Sequence, residues 1–140
     1  MKIVDANVLL YAANTSSRQH VAANSWLTGA LTGNEAVGLP WVSLLAFIRI
    51  STNPRIFDAP LSVANAFDLV ETWLGAPPAT IVAPAGRHAA ILRDLLERSG
   101  SAGNLVTDAH LAALAVEHRA EIVTFDRDFE RFAVRIHVPH

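Results

Sequence analysis

TDAHLAALAVEHRAEIVTFDRDF, residues 107–129, decides the fold, because a helical period and a strand period meet inside it. From Thr107 to His118, apolar residues recur at helical spacing, and Asp108 shares its face with Leu111, Ala112 and Ala115. His110 and Glu117 fall on the opposite, polar stripe, where a merely solvated acid would be expected. Asp108 is therefore either a helix-start acid, favoured by free backbone N–H groups and the macrodipole, or a functional group on the buried side. EIVTFDRDF then reads as a buried strand ending at Asp126.

The same alternation runs through the rest of the chain. KIV, ending at Asp5, is a first strand, and ANVLLYAA follows as a helix with Asn7 as its cap. A helix from His20 to Leu31 offers Val21, Trp26, Leu27, Ala30 and Leu31 for burial. AVGLP is a second strand, and WVSLLAFIRIST is helical by context. Pro60 and Ser62 open the helix LSVANAFDLVETWL, which ends near Gly75 and Pro77. TIVA is a third strand, RHAAILRDLLERSG a helix stopped by Gly100, and VRIHV a fifth strand. Strands alternating with helices imply an α/β fold with a central parallel sheet of four to five strands flanked by helices. With 140 residues, half of them hydrophobic, the chain suits one domain spanning residues 1–140.

Composition removes several classes of function. Cysteine is absent, so disulfide frames, zinc fingers and thiol nucleophiles are out, and a reducing, cytoplasmic setting fits. The net charge of −2 provides no global basic field, so any nucleic-acid surface must be local. Lys2 is the only lysine, and the remaining positive charge is arginine, which suits bidentate phosphate contacts. An acid interrupts the short apolar run at the N-terminus, and no apolar stretch is long enough to cross a bilayer.

The acids carry the chemistry. In an open α/β sheet, ligands sit beyond the carboxyl ends of the strands. Asp5 and Asp126 are expected at two such ends, and Asp108 at the start of the helix that runs back across the sheet. Clustered like charges raise one another's pKa unless a cation lies between them, and Mg²⁺ or Mn²⁺ suits an all-oxygen set. Asp128 in FDRDF is a further candidate, as a ligand, a cap or a partner of Arg127 or Arg131. Thr124 and Asn7 have the hydroxyl and amide needed to orient carboxylates. The histidines show no zinc-like pair and read as ordinary surface or core residues.

DANVLLYA, GNLVTDAHLAALAVEH and IVTFDRDFERF, in that order, resemble the PIN-domain ribonucleases, in particular VapC toxins of toxin–antitoxin pairs. The likeness covers essentially the whole chain, including FIRISTNPRIF. It implies a three-layer PIN-like fold, hydrolysis of RNA by a Mg²⁺- or Mn²⁺-dependent acidic site, and silencing by a VapB-like antitoxin. Asp5, Asp108 and Asp126 fall where that family keeps its metal-site acids, and Arg49 and Arg127 would hold the RNA backbone. It also implies a homodimer, with helices such as WVSLLAFI and ANAFDLVETWL at interfaces, and transfer RNA as one substrate.

One departure stands out: the family's usual acid ahead of the arginine is missing from VSLLAFIRI. Leu44 and Ala46 stand there, and no carboxylate occurs between Glu35 and Asp58. Asp128 or Asp94 is the candidate replacement. The departure supports an alternative function, a catalytically weakened PIN fold that binds antitoxin or RNA. Aspartyl phosphatase and phospho-acceptor receiver chemistry both need a lysine beside the acids, and Lys2 is at the wrong end of the first strand.

Overall fold

A computed structural model describes residues 1–100 and 102–140. In chain order the elements are β1 (Lys2–Val4), α1 (Ala6–Ala13), α2 (His20–Leu31), β2 (Val37–Leu39), α3 (Trp41–Ser51) and α4 (Val63–Gly75). β3 (Ala79–Ile81), α5 (His88–Ser99), α6 (Val106–His118), β4 (Glu121–Val123) and β5 (Ile136–His137) follow. Short 3₁₀ turns occupy Gly103–Leu105 and Arg127–Phe132. The five strands form one sheet in the order β3-β2-β1-β4-β5, and all its pairings are parallel.

The period of two along each strand divides the core between the two faces of the sheet. Val4, Val123, Val37 and Leu39 pack with α1, α2, α3 and α4 around Leu9, Leu27, Phe47 and Trp73. Ile3 and Ile122 point the other way, into a cluster with Leu95 of α5, Ala109–Ala115 of α6 and Phe129 and Phe132. Helices on both faces of a parallel sheet make the three-layer PIN-like architecture. β2 lies between β3 and β1, and Gly38 has no room for a side chain: a Cβ there would lie 2.6 Å from Val82 Cγ2.

Local chemistry sets the element ends. Ser62 Oγ accepts from Asn65 N–H at 3.0 Å and starts α4, while Gly100, at φ 70°, ends α5 in the left-handed conformation. Three expectations need correction. Asp5, not Asn7, caps α1: it leaves β1 in extended conformation and its Oδ1 accepts from Ala6 N–H at 2.7 Å. Val21 is exposed, because α2 packs through Ala23, Leu27 and Leu31 instead. Asp126 does not close β4, which stops at Val123; its carboxylate caps the 3₁₀ turn beginning at Arg127. Among the described residues, no helix is long and apolar enough to cross a membrane.

Candidate active site

The chain leaves β1 for β2 on one side, while β4 joins β1 on the other, so the sheet's switch point lies between β1 and β4. Such a point opens a crevice at the carboxyl ends of its strands. The register pairs Val4 with Val123, and Asp5 N–H donates to Val123 O at 3.0 Å. Asp5 and the Thr124–Asp126 turn are thereby held side by side.

Thr124 is wholly buried and joins the two. Its Oγ1 donates to Asp5 Oδ2 at 2.7 Å and accepts from Asn7 Nδ2 at 3.2 Å and from Asp126 N–H at 2.9 Å. Asn7 Oδ1 in turn accepts from Phe125 N–H at 3.3 Å. The network fixes the acids' backbone and one oxygen of Asp5. Asp126 Oδ1 is engaged by Asp128 N–H at 2.8 Å.

The acids act on one another electrostatically. The Asp5 carboxyl is raised to about 6, chiefly by burial and in smaller part by the charges of Asp108 and Asp126, against the bonds from Thr124 and Ala6. Asp108 is also raised, first by burial and then by Asp126, with Arg131 opposing and Asp128 adding to the rise. Asp108 sits in the first turn of α6 but does not cap it, since that helix starts without a side-chain cap. Among the described residues its carboxylate receives no hydrogen bond. It is thus half-buried and, among the described residues, without a hydrogen-bond donor.

The remaining expected residues are more peripheral. Asp128 is exposed at the rim, where Arg131 Nη2 lies 3.9 Å from its Oδ2 and Arg131 Nε donates to its backbone O at 3.2 Å. Arg127 turns to Glu130 at 3.6 Å. Arg131, not Arg127, is therefore the arginine whose field reaches Asp108. Arg49 is exposed in the last turn of α3 and makes no ion pair among the described residues. Asp94 pairs with Arg98 on the outer face of α5 and is no substitute for the missing acid. Lys2 is tied to Glu35 at 2.6 Å and Glu121 at 3.7 Å at the opposite sheet edge, away from the acids.

The acids suit a hard cation by donor type: all oxygen, mutually repelling, with one carboxylate otherwise unsatisfied. Among the described residues, however, no three carboxylate or imidazole groups converge tightly enough to chelate one ion directly.

The polar stripe of α6 is not solvated. Glu117 is almost fully buried, accepting from His88 Nδ1–H and from Ala85 N–H at 3.1 Å. His88 Nε2 then lies 2.9 Å from His110 Nδ1, and burial followed by the His88 charge lowers the pKa of His110. These groups lock α5 onto α6, a role that single histidines in the sequence could not reveal.

Residues 2–135 match the PIN domain family. Ribonuclease VapC37 of Mycobacterium tuberculosis is 56% identical, across 94% of this chain and 92% of its own length. Ribonuclease VapC33 of the same species is 41% identical, across 95% and 93%. Among solved structures, VapBC2 from Rickettsia felis, bound to a promoter DNA fragment, superposes with a TM-score of 0.72 at 17% identity, covering 99% of this chain and 98% of that one. Mycobacterium tuberculosis VapC20, described as a sarcin-ricin loop cleaving toxin, gives 0.71 at 14% identity, covering 96% of each. At such identities the solved structures speak to fold alone.

Proposed function

The chain belongs to the PIN-domain family, among the VapC ribonucleases of VapBC toxin–antitoxin systems, and from that premise we propose that Asp5, Asp108 and Asp126 hold Mg²⁺ or Mn²⁺ for hydrolysis of RNA phosphodiesters. The supporting observation is that burial and neighbouring carboxylates raise the pKa of Asp5, just after β1, and of Asp108 in α6, at the sheet's switch point, with no hydrogen bond to the Asp108 carboxylate among the described residues. A bound divalent ion supplies an activated water and neutralises charge on the phosphoryl oxygens. Thr124 and Asn7 hold Asp5 and the Asp126 backbone in place, so the carboxylates need not reorganise as charge develops. Asp108, with free lone pairs, orients the attacking water, while Asp128 and Arg131 shape the rim where the RNA strand enters. Arg49 and Arg127 lie on exposed surface and serve as outer phosphate contacts.

Exposed apolar side chains on α3 and α4, including Trp41, Leu45, Val63 and Phe67, are the surfaces for a VapB-like antitoxin and for a second copy of the chain. Cleavage of labelled RNA, transfer RNA included, tests the reading. Mg²⁺ or Mn²⁺ should support cleavage by the wild type, and Asp5→Asn and Asp108→Asn should each lower the rate by about 10²-fold or more. Equal residual cleavage by all three proteins would reveal a contaminant and favour the second reading, a PIN fold that binds antitoxin or RNA without cutting. The acid-free α3 supports that alternative: Leu44 there is fully buried and Ala46 carries no ligand.

A further inference from the structure

Four arginines are occupied locally: Arg93 by Glu97, Arg98 by Asp94, Arg127 by Glu130 and Arg131 by Asp128. Arg87, Arg119 and Arg135 make no ion pair among the described residues, yet they share adjoining hollows. Arg87 and Arg119 line one, and Arg119 and Arg135 line the next. A third joins Arg87 to Arg98. Val116 forms a wall of all three, so they make one trough across α5, α6 and the edge before β5. Its two acids are already engaged: Asp94 by Arg98, and Glu117 by His88 and Ala85. Four arginines against these two acids leave the trough net positive, in a chain whose net charge is −2.

Two further observations give it direction. Arg119 and Ala133 are the only non-glycine residues with positive φ among those described, at 51° and 55°, and both line the same hollow. A glycine would take either conformation more easily, so the chain presents a guanidinium there against its backbone preference. Arg127, Arg131 and Arg135 also recur every fourth residue, from the acidic turn to the start of β5. Ile136 pairs with Ile122 near the start of β4, so this row descends from the acids' edge of the sheet toward the opposite edge. Arg131 is at its upper end beside Asp128, and Arg135 meets Arg119 at its lower end.

We propose that this trough binds the sugar–phosphate backbone of an RNA that extends well beyond the cleavage point. The inference rests on the nuclease reading for its ligand. Guanidinium groups match phosphate oxygens bidentately, and such contacts position a strand without reading its bases. An acidic peptide would meet the same charge, but nothing would tie it to the row leading from the acids.

Anisotropy of a labelled hairpin RNA, a labelled tetranucleotide and labelled poly-glutamate, measured in EDTA across a salt series, tests the proposal. The double variant Arg119→Gly/Arg135→Gln should weaken hairpin binding several-fold. It should also flatten the slope of log affinity against log salt by about 1.4, two contacts at about 0.7 each. Tetranucleotide binding should not change, nor should its cleavage in Mg²⁺. The double variant should melt no lower than the wild type, since both side chains are exposed, which excludes unfolding as the cause. An unchanged hairpin slope, or an effect confined to poly-glutamate, overturns the proposal. Because binding is read without metal, an altered slope in a protein that never cleaves RNA would sink the nuclease reading and leave the trough standing.

Discussion

At Thr124 one hydroxyl does three things: it donates to Asp5 and accepts from Asn7 and from the Asp126 backbone. Thr124→Val keeps the shape and deletes all three. Two donors then lose their acceptor and Asp5 loses a bond that favours its charged form. Urea unfolding should show a loss of roughly 1–3 kcal/mol, and metal affinity should fall about 10- to 100-fold. Thr124→Ser should restore most of both; if Val and Ser behave alike, the hydroxyl is not what holds the acids. This partnership was readable in the sequence as a matter of residue type, because a Thr two residues before an acid and an Asn two after one are natural orienting groups. The arginines were less readable. In a 3₁₀ turn residues three apart eclipse, which sends Arg127 to Glu130 and Arg131 to Asp128. Nothing in FDRDFERF distinguishes that turn from a continuing strand, so Asp126 was expected at a strand end and Arg127 at the site.

Among the elements, α3 holds the one unresolved chemical question, the absent acid. Leu44 is fully buried between Phe47 and the sheet, whereas Ala46 is partly exposed. Val42, one turn earlier on the stripe shared with Ala46 and Arg49, packs into the cluster containing Ala109 and Leu111 of α6. That stripe therefore leans toward the helix of Asp108. Ala46→Glu should fold normally and lower the half-saturating Mg²⁺ concentration by about 10-fold, since added ligand charge tightens such sites. Leu44→Glu should unfold the protein, costing roughly 4 kcal/mol or more for lost apolar burial and an unpaired buried charge. Calorimetric titration and thermal melting read the two outcomes. A folded Ala46→Glu protein with unaltered affinity would show that α3 does not approach the cation. The sequence could locate the gap but not choose between Leu44 and Ala46, because only packing tells which face of α3 meets the core. Most helices and strands were legible through period and end signals, and α3 only through context; α6 was marked by its Leu and Ala run, which the structure explains as a helix buried between the sheet and α5.

Over the whole molecule, the acidic crevice costs stability that a cation, on the proposed reading, would restore, and pH tests the exchange. The alternation of strand and helix made the parallel sheet predictable, and with it the gathering of distant acids at one edge. How deeply each carboxylate is buried depends on packing that no spacing reveals. Burial holds Asp5 at about 6, above the ordinary value of 3.8. Between those pH values the folded chain keeps a proton that the unfolded chain has lost. Stability therefore falls as pH rises through that window and stays low above it. The full shift corresponds to about 3 kcal/mol, and partial exposure screens it to roughly 2 kcal/mol. Asp108 acts in the same direction, while Glu35, held below its usual range by Lys2, acts in the opposite one. Comparing the wild type with Asp5→Asn cancels those common contributions and isolates Asp5. In EDTA, the variant should match the wild type near pH ~4 and exceed it above pH ~6, because an amide has no charge to desolvate. Added Mg²⁺ or Mn²⁺ should reverse the ranking at neutral pH, stabilising the wild type by about 2.7 kcal/mol at a hundred times Kd. Near pH ~4.5 the increment should shrink, since the ion must displace protons from its ligands. Urea midpoints across this grid of pH and metal decide it. A metal increment that is the same at both pH values, or the same in Asp5→Asn, would mean that the ion binds somewhere other than these acids.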